Sequence, residues 1–335
     1  MKTTLIIWHC FVQEVSSFAP MSSESAAAGR QYKMPVAHLH THTQDASESS
    51  GNNSSGPLET LCSMSLRACD LMTPLVTSIY EELILSPSND GSDDIIKAVK
   101  KDNSAFTIAD ATVQRLLIKS LFSTVQFRDI VGEEEEDDDG DDCDSIEWWY
   151  QVQGLTVPQH LQPLLDSTRI QIETLAKDLS ASNNNDVYQL LTIFIDPIDG
   201  TREFTNGNGE QCSICIGFAD EHGKAVAGVV FRPLSKPSPT WVAGAKSGFA
   251  TCYFGEQAEI SSSNGLLSTN GSISKFVQSL IDELKVPRIK SGGAGNKMMM
   301  LLQNPGYLYI QVSQLPSSWL SATAYCSTHT HIYCC

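Results

Sequence analysis

Sorted into apolar and polar positions, the chain shifts between helical and strand spacing. From Leu58 to Leu85, Leu61, Met64, Ala68, Leu71, Leu75 and Ile79 recur on one helical stripe. Pro74 sits inside that stripe and predicts a kink or break. Val113, Leu116, Leu117 and Leu121 predict a second helix over 110–122. Two more are predicted over 164–179 and 276–284. Between them lie apolar runs of strand character at 190–195, 212–219, 225–231, 241–243, 248–253 and around 304–312. The Glu221-His222-Gly223-Lys224 turn predicts antiparallel pairing of the strands it joins. Helices mixed with paired strands predict an α/β (α+β layered) fold, and no internal repeat interrupts it.

Composition sets the limits of this picture. A chain of 335 residues accommodates one two-lobed enzyme or two small domains. Its formal net charge of −17 excludes a nucleic-acid surface, because the phosphates would be repelled. Much of that excess is the tract from Glu133 to Asp144. No apolar run approaches the ~20 residues of a membrane span, so no membrane partner is expected. The ten cysteines lack the spacing of a secreted framework. Cys212 and Cys215 sit three apart on a predicted strand, facing opposite ways, and read as buried thiols. His38, His40 and His42 fall in a polar leader and read as incidental.

Residues 1–57 read as that leader, ending in the spacer Ser49 to Pro57. Its start is basic with a short apolar core, and Phe18-Ala19-Pro20 precedes a Ser/Ala-rich, acid-poor stretch. This resembles the two-part plastid presequences of algae with secondary plastids, with a cytoplasmic enzyme as the alternative.

The richest chemistry is Asp196-Pro197-Ile198-Asp199-Gly200-Thr201, followed by Arg202-Glu203-Phe204, at the end of an apolar strand. Two carboxylates with a carbonyl between them form an oxygen-only cage of the kind Mg²⁺ prefers. Upstream stand Ile130-Val131-Gly132-Glu133-Glu134 and Thr107-Ile108-Ala109-Asp110; downstream stands Gly292-Gly293-Ala294-Gly295-Asn296-Lys297. Taken singly, each has a plainer reading. Glu133 opens a solvated acidic loop, Asp110 favours the start of a helix, and the glycines make a turn.

Together and in this order the motifs resemble the inositol monophosphatase superfamily of lithium-sensitive, Mg²⁺-dependent phosphomonoesterases. Within it, D-G-T-R-E-F is closer to the D-G-T-K-E-[FY] of the 3'(2'),5'-bisphosphate nucleotidase branch than to D-G-T-x-N-F. The resemblance implies an αβαβα sandwich of the sugar-phosphatase type. It implies Glu133, Asp196, the Ile198 carbonyl and Asp199 as ligands of two or three Mg²⁺ ions. It makes Asp110, Thr201 and Glu133 catalytic, and sets Thr201, Thr269, Gly293 and Lys297 against a small phosphorylated substrate. That substrate is a nucleotide bisphosphate left by sulfate activation, or alternatively an inositol phosphate.

The resemblance covers about residues 58–312 and then stops. Where the family carries a further ligand Asp after Trp, this chain has Trp319-Leu320, and no acidic residue follows Glu283. A shifted or mis-spliced reading frame accounts for that abrupt end; the alternative is a divergent, non-catalytic member. The expected organisation is leader 1–57, metal-binding lobe 58–235, partial second lobe 236–312 and divergent tail 313–335. In a form with a complete tail, Asp199→Asn is expected to abolish Mg²⁺-stimulated phosphate release; unchanged turnover would remove Asp199 from the site.

Overall fold

The computed structural model describes residues 56–85, 97–99, 105–134, 146–152, 154–182, 184–247, 250–255, 264–304, 306–312 and 330–334. In chain order its elements begin with helix α1 (Pro57–Leu85), strands β1 (Lys97–Val99) and β2 (Ala105–Thr107), and helix α2 (Ile108–Arg115). Next come β3 (Asp129–Gly132), α3 (Ile146–Tyr150), β4 (Gln151–Val152), β5 (Leu155–Thr156), α4 (Gln162–Ala181) and α5 (Asn185–Tyr188). The middle of the chain holds β6 (Thr192–Asp199), α6 (Thr201–Thr205), β7 (Ser213–Ala219), β8 (Ala225–Arg232), β9 (Thr240–Ser247) and β10 (Ala250–Gly255). It closes with β11 (Gly265–Ser268), α7 (Lys275–Leu284), β12 (Arg288–Lys290), α8 (Ala294–Gln303), β13 (Tyr307–Val312) and β14 (Thr330–Cys334). The leader up to residue 55 with its histidines, the acidic positions 135–144 and Trp319-Leu320 lie outside the described residues, while Pro57, expected to end the leader, opens α1.

Six strands form the main sheet in the order β10-β9-β8-β7-β6-β3. Neighbours run antiparallel except β6 and β3, which are parallel. The pleat sorts β6 into two faces. Ile193 and Ile195 pack with α1, α2 and α4 in the largest core, while Phe194 packs with Cys215, Val230 and Met299 of α8. A second sheet, ordered β12-β11-β13-β14, carries α8 on one face through Leu267, Met298, Leu301 and Tyr309. Its other face carries α7 through Leu266, Val277, Ile281 and Leu308. The layers therefore run helix, sheet, helix, sheet, helix: the predicted αβαβα order, with α8 between the two sheets.

Four expectations change. Helix α1 is unbroken at Pro74. Pro74 and Asp70, whose carbonyl loses its i+4 donor there, are both on the exposed side, open to water. The apolar stripe opposite, with Leu61, Ala68, Leu75 and Ile79 each at 1 % exposure or less, holds the helix straight through. The second predicted helix is α2 followed by a π-helical segment over Leu116–Leu121, which closes with Phe122 N–H donating to Leu117 O at 3.0 Å.

The boundary expected after residue 235 falls inside the main sheet, because Phe231 of β8 pairs with Trp241 of β9. The second sheet begins only at β11. Finally, the tail expected over 313–335 as divergent supplies β14, which pairs antiparallel with β13 from Leu308↔Cys334 to Val312↔Thr330. β14 thus covers that edge of β13.

Phe218 shows how tightly the first core layer is built: it is fully buried and meets Phe122 edge-on at 6.2 Å. Phe218→Ala is expected to cost about 3–5 kcal/mol of unfolding free energy. Urea denaturation monitored by circular dichroism measures it, and a loss below about 1 kcal/mol would contradict this core.

Candidate active site at the ends of β3 and β6

The Asp-Pro-Ile-Asp segment is strand rather than turn. β6 runs to Asp199, with a bulge where pairing to β7 steps from Asp196↔Cys215 to Asp199↔Ser213. Pro197, lacking an N–H, occupies the stretch where the ladder is interrupted. The turn follows at Gly200, whose φ of 94° suits glycine and whose missing Cβ lets Gly293 Cα come close. Thr201 then opens α6.

The parallel ladder Asp129↔Thr192 to Gly132↔Ile195 is extended by Glu133 N–H donating to Ile195 O at 2.9 Å. Glu133 thus comes level with Asp196 on the neighbouring strand. Asp196 is almost fully buried, and Glu133 is half-buried.

Asp110 and Thr201 meet across 91 residues of chain: the Thr201 Oγ1 donates to Asp110 Oδ1 at 3.1 Å. The other oxygen, Oδ2, accepts from Thr107 N at 2.9 Å and Thr107 Oγ1 at 2.6 Å, making Asp110 the anchor of the α2 N-terminus. Both sequence readings of Asp110 describe this one carboxylate. The Ile198 carbonyl accepts from the same Thr201 hydroxyl at 3.0 Å.

Asp199 reaches α8. Its Oδ1 accepts from Ala294 N at 2.9 Å, and its Oδ2 from Gly295 N at 2.7 Å and Ser213 Oγ at 3.1 Å. Burial pushes its carboxyl pKa up, opposed by those two backbone N–H groups, the Lys297 charge and Ser213. Gly293, expected against substrate, adopts φ 59° beside Asp199, where a Cβ would lie 2.5 Å from Gln211 O. Lys297 is buried, with Nζ 5.3 Å from the centre of the Tyr309 ring. Burial lowers its pKa, while Asp199 and Glu203 raise it. Thr269 is exposed at the end of β11, and its carbonyl accepts from Arg288 Nη2 at 2.9 Å.

The structure therefore joins Asp110 to Thr201 and Asp199 to the glycine loop, and sets Glu133 beside Asp196 along the sheet. Lys297 lies between the sheets instead of at an open surface. Among the described residues, no three or more His, Cys, Asp or Glu side chains are gathered as a metal ion requires. Chemically, the hard oxygens of Glu133 and Asp196 fit one Mg²⁺ that keeps several waters. Asp199 is engaged with α8 through both carboxylate oxygens.

Several site residues carry no local signal in the sequence. Gln211 accepts from Gly292 N at 2.6 Å and from Asn270 Nδ2 at 2.8 Å, tying β7's approach to the second sheet. Gln114 holds the turn after Glu133, and its place one helical turn past Asp110 is the one hint the sequence offers.

A sequence profile described as the Inositol monophosphatase family matches residues 72–319. The chain belongs to that family. Among curated proteins, the 3'(2'),5'-bisphosphate nucleotidase 1 of Homo sapiens is 31% identical over 136 residues, covering 38% of this chain and 44% of the relative. Its namesake in Dictyostelium discoideum is 30% identical over 137 residues, 36% and 43% of the two chains. The alignments thus span less than half of either relative. A solved IMPase/NADP phosphatase complexed with NADP and Ca²⁺ aligns over 78% of each chain at 14% identity with a TM-score of 0.47, too low a likeness to bear on ligand or mechanism.

The cysteines near this family site are structural. Cys212 Sγ donates to Gly200 O at 3.2 Å, and Cys215 lies on the opposite face with Val230 and Met299. Burial raises both pKa values, with Asp199 adding to the effect. Cys62 is pushed up to about 12 by burial, and Cys69 is raised by the same cause. Thiolate being the reactive form, native protein at pH 8 is expected to leave these four unmodified by iodoacetamide until denaturant is added. Peptide mass spectrometry reads the outcome, and rapid native labelling of Cys212 or Cys215 would contradict it.

Proposed function

We propose that this chain is a Mg²⁺-dependent phosphomonoesterase of the 3'(2'),5'-bisphosphate nucleotidase type, hydrolysing adenosine 3',5'-bisphosphate to AMP and phosphate. The observation that carries the proposal is the Thr201–Asp110 contact, made at the mouth of β6 beside the glycine loop. What supports the nucleotide substrate is the likeness to bisphosphate nucleotidases and the D-G-T-R-E-F continuation. The plastid address is a further proposal, resting on the leader sequence alone.

The Thr201 hydroxyl has one hydrogen and two acceptors at nearly equal distance, Ile198 O and Asp110 Oδ1. While Asp110 is ionised, its carboxylate is the stronger acceptor. The hydroxyl oxygen is then polarised to take a hydrogen bond from a water placed before it. As that water attacks phosphorus and the bond from phosphorus to the 3'-oxygen breaks, its proton passes to Thr201 Oγ1, the Thr201 proton moves to Asp110 Oδ1, and the leaving 3'-oxygen takes a proton from solvent water. Thr107 keeps Asp110 oriented through the transfer by holding the other carboxylate oxygen. When bound at Glu133 and Asp196, Mg²⁺ supplies the Lewis acidity that makes the water more acidic.

The test is phosphate release by the purified full chain from adenosine 3',5'-bisphosphate and from inositol 1-phosphate, each with Mg²⁺, with EDTA and with lithium. The nucleotide is expected to be the better substrate, with loss in EDTA and inhibition by lithium. Thr201→Val, which keeps the shape and removes the hydroxyl, is expected to lower kcat about 100-fold or more. Faster release from inositol 1-phosphate would move the substrate to the alternative. No release from either would favour a non-catalytic member.

A further inference from the structure

Gln114 is a polar side chain in an apolar layer. It lies on α2 one turn after Asp110 and is 2 % exposed. Its Nε2 donates to Glu134 O at 2.7 Å, and its Oε1 accepts from Glu134 N at 3.0 Å. The carboxamide thus closes both backbone groups of one residue, as a neighbouring strand would, where β3 has run out. No other uncharged side chain of this length offers a donor and an acceptor side by side.

The surroundings are shaped to admit it. A Cβ at Gly132 would stand 2.3 Å from Gln114 Oε1, so a glycine there leaves the room the carboxamide takes. Glu133 is thus bracketed: its own N–H is bonded to Ile195 O, and the next residue is gripped on both backbone groups. The same helix holds Asp110, and Asp110 holds Thr201. A single helix therefore sets the positions of two groups that arrive from different strands.

We propose that Gln114 is a positioning residue of the phosphatase reaction: its carboxamide fixes the Gly132-Glu133-Glu134 turn so that Glu133 stands at a set place relative to the Asp110–Thr201 pair. The inference rests on the reading of this site as a phosphomonoesterase. It deepens that reading by assigning a role to a residue that does not touch substrate.

The test uses the full chain and two variants. Gln114→Leu removes both bonds. Gln114→Glu keeps an acceptor for Glu134 N–H but loses the donor to Glu134 O, and covers the case in which the leucine variant fails to fold. Hydrogen exchange at residue resolution and steady-state kinetics with adenosine 3',5'-bisphosphate are both measured. In Gln114→Leu, the Glu134 amide is expected to lose its protection while the Thr192–Ile195 amides keep theirs. In Gln114→Glu, that protection is expected to stay.

For Gln114→Leu, kcat per folded molecule is expected to fall about tenfold or more, with the Mg²⁺ concentration for half-activation raised and KM for the nucleotide within about twofold. Gln114→Glu is expected to fall less. Unchanged exchange at Glu134, or lost protection with kcat and Mg²⁺ dependence intact, would overturn the assignment. A wild type without turnover removes the phosphatase reading itself, whereas an active wild type with an unaffected variant removes only the positioning role.

Discussion

The parallel pairing of β3 with β6 is the constraint on which the rest of the site depends. It matches Asp129 to Thr192 and Gly132 to Ile195, segments more than sixty residues apart in the chain. Through it the Gly-Glu-Glu and Asp-Pro-Ile-Asp segments end at the same height on one sheet. The pleat then turns alternate residues toward α2 on one side and α8 on the other. Ile193 and Ile195 anchor the first side, and Phe194 the second. A register slip of one residue would exchange these faces and part Glu133 from Asp196.

Around that ladder the protein manages an unusual load of buried negative charge. Asp110, Asp196 and Asp199 are each at 7 % exposure or less in a chain of formal charge −17. A buried carboxylate is stable only when hydrogen bonds or opposite charge replace its water. Asp199 takes two backbone N–H groups at the start of α8, where the helix dipole adds to them, and a serine hydroxyl. Asp110 takes Thr107 twice and Thr201 once. Lys297, two residues past the glycine loop, lies inside the α8 layer over Tyr309.

The two sheets meet through this arrangement. The α8 helix packs Met299 against the main sheet and Met298 with Leu301 against the second, while its N-terminus receives Asp199. Gln211, Asn270 and Gly292 add a polar joint beside it. Changes at α8 therefore act on the packing of both sheets and on the setting of Asp199 together.

Local periodicity determined much of this protein. The spacing of Leu61, Ala68, Leu75 and Ile79 gave α1, and the His222-Gly223 turn gave the β7–β8 hairpin, because amphipathic period and turn chemistry are properties of neighbouring residues. The motifs around Asp110, Glu133 and Asp196 were visible as strings, and their association came from family resemblance. Only the tertiary structure decided that α1 passes Pro74 unbroken, that Asp199 turns to α8, that Lys297 goes inside and that Thr330–Cys334 pairs with β13. Gln114 was hinted at only by its place one helical turn past Asp110. Each of these depends on partners elsewhere in the fold, which no local pattern names.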